Sequence, residues 1–187
     1  MGSNRQPTKL FFSLLFVILG ISVSGKPAID VALSQESTQR QSSLQRLANG
    51  NYKVCSKPPS TSIDTGYCFV FRKSGNRVVG DYYDTKTLGE EGVCMSGTLS
   101  NRTVRGEAIE EIGSVGRQNT PPNSSGKRLV NWDKEGYLKV ARASVLRTYE
   151  VPHSYKTVRY RSALLNLNSF SRYNAGTQSP PRTCLKQ

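Results

Sequence analysis

Tyr67-Cys68-Phe69-Val70-Phe71-Arg72-Lys73-Ser74-Gly75-Asn76-Arg77-Val78-Val79-Gly80-Asp81-Tyr82-Tyr83 is the stretch that decides the fold. Tyr67, Phe69 and Phe71 recur at every second position, the period of a strand with one buried face. Ser74-Gly75-Asn76 is a tight-turn cluster, and residues 77–83 answer the first run, so the two predict a β-hairpin. Residues 52–55 form a similar run upstream. Downstream come 92–99, a turn at Ser100-Asn101-Arg102, and 103–110; residues 138–148 and 157–167 are later candidates. The expectation is a mainly β protein: one antiparallel domain of six to eight strands, a curved sheet or small barrel, with little helix. Gly80, Gly97 and Gly106 fall inside strand-like runs, where glycine marks a bulge, a bend or close backbone approach. Asn76-Arg77-Val78-Val79-Gly80 echoes Asn101-Arg102-Thr103-Val104-Arg105-Gly106, which common hairpin chemistry explains more simply than a duplicated unit.

The chain ahead of this β region has a different character. Arg5 and Lys9 precede an apolar run of 14 residues, Leu10 to Val23, and Ser22, Ser24 and Gly25 follow. A membrane span needs roughly 20 apolar residues, so residues 1–25 read as a secretory signal peptide cut after Ser24 or Gly25. Residues 26–48 are Gln/Ser-rich and predict a flexible linker, with Leu44 and Leu47 able to start a short helical turn. Residues 49–187 are the expected domain. Residues 113–127 and 176–181 read as long exposed loops. No second long apolar segment exists, so no transmembrane segment is expected after cleavage, and the address is exported, periplasmic or secreted.

An oxidising compartment makes the four cysteines expected bridges. Cys55, Cys68, Cys94 and Cys184 allow three pairings. Strand parity puts the first three on one side of the sheet. That favours Cys68–Cys94 between two strands and Cys55–Cys184 tying the start of the domain to its tail. The second bridge would close a loop of more than 100 residues, where the chain-entropy model assigns roughly 4–5 kcal/mol. The rival scheme is Cys55–Cys68, a local clip, with Cys94–Cys184. Zinc sites place two ligands two to four residues apart; no two cysteines are that close and His153 is the only histidine, so neither metal nor cofactor is expected.

Catalytic patterns are equally thin. His153, in Glu150-Val151-Pro152-His153-Ser154, sits in a turn-like segment. There is no nucleophile elbow, phosphate loop or dinucleotide fingerprint. Glu90-Glu91 and Glu110-Glu111 are adjacent pairs, whose side chains leave a strand on opposite faces. Asp81 and Glu107 could meet across strands. Catalysis is therefore not expected. Asn101-Arg102-Thr103 and Asn123-Ser124-Ser125 match the glycosylation acceptor pattern.

Charge points to binding instead. The full chain carries +13, and +11 without Arg5 and Lys9; residues 126–187 alone hold 12 Lys/Arg against 3 Asp/Glu. For an exported protein such a balance points away from nucleic acid and towards anionic polysaccharide, an envelope surface or an acidic protein. Arg147, Lys156, Arg159 and Arg161 lie close in sequence to Tyr149, Tyr155 and Tyr160, and Arg159 and Arg161 share a strand face opposite Tyr160. Cations beside aromatic rings suit acidic sugars; the plainer reading is a solvated face with its tyrosines turned inward. Trp132 is ambiguous in the same way: exposed it could stack on a sugar, buried it would anchor the core.

Gly50-Asn51-Tyr52-Lys53-Val54-Cys55, the Cys68–Gly80 stretch and Val93-Cys94-Met95-Ser96-Gly97, together with Trp132-Asp133-Lys134-Glu135-Gly136-Tyr137-Leu138 and Ala163-Leu164-Leu165-Asn166-Leu167, carry a resemblance. As a set they resemble a family of uncharacterised exported β-rich proteins common in cyanobacteria. The resemblance implies export and a single β domain, and no site residues or activity. The expected function is that of an exported β domain that binds an anionic polymer or surface. The alternatives are a small β-barrel holding an apolar molecule and a hydrolase without a recognisable motif.

Overall fold

The structure is a computed structural model that describes residues 43–57, 66–87, 92–113, 120–149 and 154–185. The leader, most of the expected linker, Glu90, Glu91 and His153 lie outside the described residues. Nine antiparallel strands form one sheet. They are β1 (Gly50–Cys55), β2 (Tyr67–Ser74), β3 (Arg77–Asp84), β4 (Gly92–Ser100) and β5 (Thr103–Gly113), then β6 (Val130–Asn131), β7 (Leu138–Tyr149), β8 (Tyr155–Asn166) and β9 (Ser171–Tyr173). Their order is β6-β7-β8-β5-β4-β3-β2-β1-β9. The seven runs expected from sequence are all strands. The two beyond them, β6 and β9, are two and three residues long, too short to show a period. The sheet is curved and does not close into a barrel.

The hairpin that opened the sequence reading forms in the expected register, with Ser74 opposite Arg77. Gly75 is the first of its two loop residues and has φ +57°, the sign that the primed hairpin turns demand there. The β4–β5 turn is built alike, with Ser100 opposite Thr103 and Asn101 at φ +53°. Asn76 is the second loop residue of its turn and Asn101 the first of its own. The two turns are therefore offset by one residue, as shared turn chemistry permits and a duplicated unit would not.

Curvature has a cause in side-chain size. One inward-facing row runs Tyr52, Phe71, Gly80, Met95, Ala108, Tyr160, Ala143 across seven strands. After Tyr52, large and small residues alternate, so each large side chain has room over its small neighbours. The next row, Val78, Gly97, Gly106, Ala163, Val140, is small in the middle. Gly97 and Gly106 face each other so closely that a Cβ on Gly106 would run into the Ser96 carbonyl oxygen. The absent side chains let the paired strands β4 and β5 approach closely and the sheet coil around its own inner face.

Coiling brings distant strands together. The Tyr82 hydroxyl on β3 donates to Asp133 Oδ2 at 2.9 Å, in the turn between β6 and β7 at the other end of the sheet. Asp133 also accepts from the backbone N–H groups of Tyr137 and Leu138, at 3.0 and 2.7 Å. Its buried carboxylate is thus matched by donors, as burial of a charge requires. Around this bond Tyr67 stacks on Tyr82, Trp132 meets Tyr82 edge-on, and Tyr137 meets Tyr67 and Phe170 edge-on. The Tyr160 hydroxyl donates to a second buried carboxylate, Glu110, at 2.5 Å. Lys73, also buried, donates from Nζ to the Leu47 carbonyl at 2.7 Å.

The domain begins earlier than the expected residue 49. Ser43 caps a 3₁₀ turn, Leu44–Arg46, whose Leu44 is part of the core. The short turn expected at Leu44 and Leu47 is present, but packed as a plug rather than flexible. At the other end, Arg102 donates to the carbonyls of Leu167 and Phe170, and burial lowers the pKa of its guanidinium. These bonds steer the chain from β8 to β9 across the open end of the coil.

Two measurements check this account. Gly106→Ala should destabilise the protein by about 1–3 kcal/mol in chemical denaturation, the usual cost of overpacking; an unchanged midpoint would contradict the close approach. Burial, and after it Asp133, raises the Tyr82 hydroxyl well above its ordinary pKa. Burial followed by Glu135 does the same for Tyr67. The unfolded chain releases these protons near pH 10, so stability is intact below that pH and falls as pH rises above it. Phenolate absorbance should show at least two of the nine tyrosines ionising only as the fold is lost.

Candidate functional site

Among the described residues the inner face is filled over most of its area; only at the end of the β7–β8 hairpin does a hollow of about 280 Å³ open beside Ala143, Val145 and Val158. Phe69, Phe71, Tyr82, Met95, Leu138, Tyr160 and Leu165 are all fully buried on this face. Trp132 is 3 % exposed within the same core, so of its two readings the structure gives the core anchor and removes it from the surface residues that could stack on a sugar.

The outer face is the one that remains accessible, and Cys55, Cys68 and Cys94 lie together on it, on one side of the sheet as expected. The expected pairing is overturned: the bridges are Cys55–Cys68 and Cys94–Cys184. Cys55 and Cys68 are directly opposite in the β1–β2 ladder with Cα atoms 4.1 Å apart, far short of the roughly 7 Å beyond which a bridge cannot form. Cys68 and Cys94 are separated by β3, which at about 4.8 Å per strand puts them near 10 Å apart, too far for a bridge. Cys184 instead reaches Cys94 at the middle of the sheet and straps the C-terminal segment across the outer face. Gln178 Oε1 secures the same segment by accepting from Lys53 Nζ at 3.0 Å and from the Tyr83 hydroxyl at 3.5 Å.

Between this strap and the end of the β7–β8 hairpin lies a trough of about 720 Å³. Its floor includes Val70, Asp81, Ile109 and Thr157; Gln178, Ser179 and Leu185 line the strap side, and Leu146, Arg147, Tyr149 and Tyr155 the hairpin side. A β-bulge builds the hairpin side. Val145 pairs with Val158, but Arg147, two residues on, pairs with Thr157, one residue away. Leu146 is the extra residue. Strict alternation would place Arg147 and Tyr149 on the same face as Val145; the bulge turns both outward, beside Tyr155. Tyr149 and Tyr155 then stack with ring centroids 4.3 Å apart and planes 16° apart. Loss of hydration, then the neighbouring Tyr149 and Glu111, raises the Tyr155 hydroxyl pKa, with Arg147 opposing.

The expected cationic residues separate into three situations. Arg147 is exposed at the trough. Arg159 is half-buried and donates Nε and Nη2 to Glu107 Oε2, at 3.1 and 2.6 Å, so its charge is already paired and Glu107 is not free to meet Asp81. Lys156 is opposite the core residue Ile112, on the other face of the hairpin. Arg161 is exposed and lies opposite Arg142, between the pairs Ala141–Ser162 and Ala143–Tyr160. Arg142, which periodicity did not single out, has φ +56°, a conformation costly for a side chain. Backbone bonds hold it there: the Arg142 N–H donates to the Gly126 carbonyl at 2.8 Å and the Ala143 N–H to that of Ser124 at 2.9 Å. Among the described residues, Arg142, Arg147 and Arg161 have no ion-pair partner.

The chain matches no protein-family model, no curated protein and no solved structure. Function must therefore come from geometry. The described residues hold no group of three or more His, Cys, Asp or Glu suited to a metal, and no helix among them is long and apolar enough to cross a membrane. Of the paired acids, Glu110 points into the core against Tyr160 and Glu111 out to the trough, on opposite faces as adjacent strand residues must be. Asn101 and Asn123 occupy exposed turns. Both disulfides suit a non-reducing, exported environment.

The two bridges should differ in chemistry. Cys55 and Cys68 are 2 % and 1 % exposed, whereas Cys94 and Cys184 are half-buried at the trough, and thiol attack needs access to sulfur. Brief dithiol treatment followed by alkylation should label Cys94 and Cys184 well before Cys55 and Cys68. Equal labelling of all four would refute the difference.

Proposed function

We propose that this is an exported binding domain, periplasmic or secreted, with residues 1–25 removed as a signal peptide, and that its ligand is an acidic polysaccharide. One observation supports the reading above the rest: among the described residues, Arg142, Arg147 and Arg161 stand together on the β7–β8 ribbon without an ion-pair partner. At about 3.3 Å per residue the ribbon from Arg147 to Arg161 covers roughly 13 Å, a line of charge suited to a polymer more than to a single small anion. The inner face, filled except for a hollow of about 280 Å³ at the hairpin end, favours this reading over an apolar cup. The planar, five-donor guanidinium groups suit carboxylate or sulfate groups, which they can hold through paired hydrogen bonds.

Salt-dependent retention on immobilised sulfated or uronate polysaccharide tests it. Exposed ion contacts are worth roughly 0.2–1 kcal/mol each, so Arg142→Gln/Arg147→Gln/Arg161→Gln should weaken binding about tenfold or more at low salt. Arg72→Gln/Arg77→Gln/Arg182→Gln removes the same charge elsewhere and should matter much less. Equal losses in the two triple variants would show that net charge alone is at work and overturn the ribbon as the site.

A further inference from the structure

The trough beside the ribbon has a chemistry of its own. Among the described residues its lining holds the carboxylates of Asp81 and Glu111 and the cation of Arg147, with Asp81 engaged in an interaction of its own. An acidic sugar unit placed there would face the Glu111 carboxylate. An uncharged, hydroxyl-rich ring would meet it without like-charge repulsion: carboxylates accept hydrogen bonds from hydroxyl groups, and Thr157, Gln178 and Ser179 add polar partners that both give and take. Apolar surface is present too. Leu146, Tyr149 and Leu185 are exposed large side chains at the trough. The C–H face of a pyranose is a natural cover for such a surface, with its hydroxyl edge left for the polar groups. The volume, about 720 Å³, lies in the range of small-ligand sites.

Stiffness supports a preformed site. The floor is central β-sheet. The hairpin side carries a stacked tyrosine pair, Tyr149 and Tyr155. The strap side is tied down by Cys94–Cys184 and by Gln178. A site already in its bound shape spends little on ordering when a ligand arrives.

We infer that the outer-face trough is a subsite for an uncharged pyranose ring, so that the glycan bound by this domain carries neutral sugar units beside its acidic ones. This rests on the reading of the domain as a glycan binder. The neutral ring enters between Tyr149/Tyr155 and the strap, while acidic units lie along the arginine ribbon.

The test uses the exported protein with both disulfides intact, titrated with the neutral hexaoses of the cello, malto and chito series. Backbone amide shifts are the readout, up to about 10 mM ligand to cover weak affinities. At least one hexaose should shift the amides of Ile109, Thr157 and Tyr155 in a saturable way. Tyr149→Ala and Tyr155→Ala should weaken that binding about tenfold, and Tyr155→Phe, which keeps the stack, should retain most of it. Both alanine variants should keep the thermal midpoint of the parent protein within a few degrees, since the rings are at the surface; if either is unfolded, Glu111→Gln serves in its place and should weaken binding severalfold. No saturable shift at these amides with any hexaose, or shifts confined to residues away from the trough, overturns the subsite. If polyanion retention still depends on the ribbon arginines, the wider function survives that failure. Loss of the ribbon effect with hexaose binding intact would mean the reverse.

Discussion

A single sheet has two faces, and this one must bury one of them against itself. Everything else depends on the close approach of the paired strands β4 and β5, where Gly97 faces Gly106 with no side chain on either. Without that approach the inner rows could not curl far enough for β3 to meet the turn between β6 and β7. With it, the Tyr82–Asp133 bond and the rings of Tyr67, Trp132, Tyr137 and Phe170 close the open side of the coil by side-chain contact. No ladder hydrogen bonds are needed there, so the protein gains an enclosed core without becoming a barrel.

The same curvature decides where a ligand can go. An inner face filled over most of its area leaves the outer one, and the outer face would be a plain convex surface but for two additions. One is the C-terminal strap, held at Cys94. The other is the bulge at Leu146, which turns Arg147 and Tyr149 outward. Between them they make a concave site on a convex sheet. The bulge residue Leu146 and the strained Arg142 cost backbone regularity in β7, and both lie at the surface offered to a ligand, a pattern seen where irregular backbone positions functional groups.

How much of this was legible in sequence varies with range. The hairpins were, because Ser74-Gly75-Asn76 and Ser100-Asn101-Arg102 carry their turn chemistry within four residues. Gly97 and Gly106 signalled a bulge, a bend or a close approach, and it took the β4–β5 register to decide for the close approach. The cysteines show where local reading stops. Parity placed Cys55, Cys68 and Cys94 on one side correctly, yet the partner of each depended on strand order. Arg159 was found as a cation, but its ion pair with Glu107 needed the β5–β8 register. Arg142 went unnoticed because its exposure follows from a φ of +56°, which nothing about an arginine in a strand-like run announces.

Two kinds of information are therefore present in different degrees. The sequence alone determined the strand class, the antiparallel hairpins, the inward and outward alternation along each regular strand, and the basic character of the last third. These are properties of neighbours, set by sterics and solvation within a few residues. Only the tertiary structure decided which cysteines join, that Trp132 is an anchor, that Leu44 plugs the core, and that Arg147 and Tyr149 leave the face their numbering assigns them. Each of those depends on strands far apart in the chain, and one extra residue in a β-strand reverses the side on which every following residue lies.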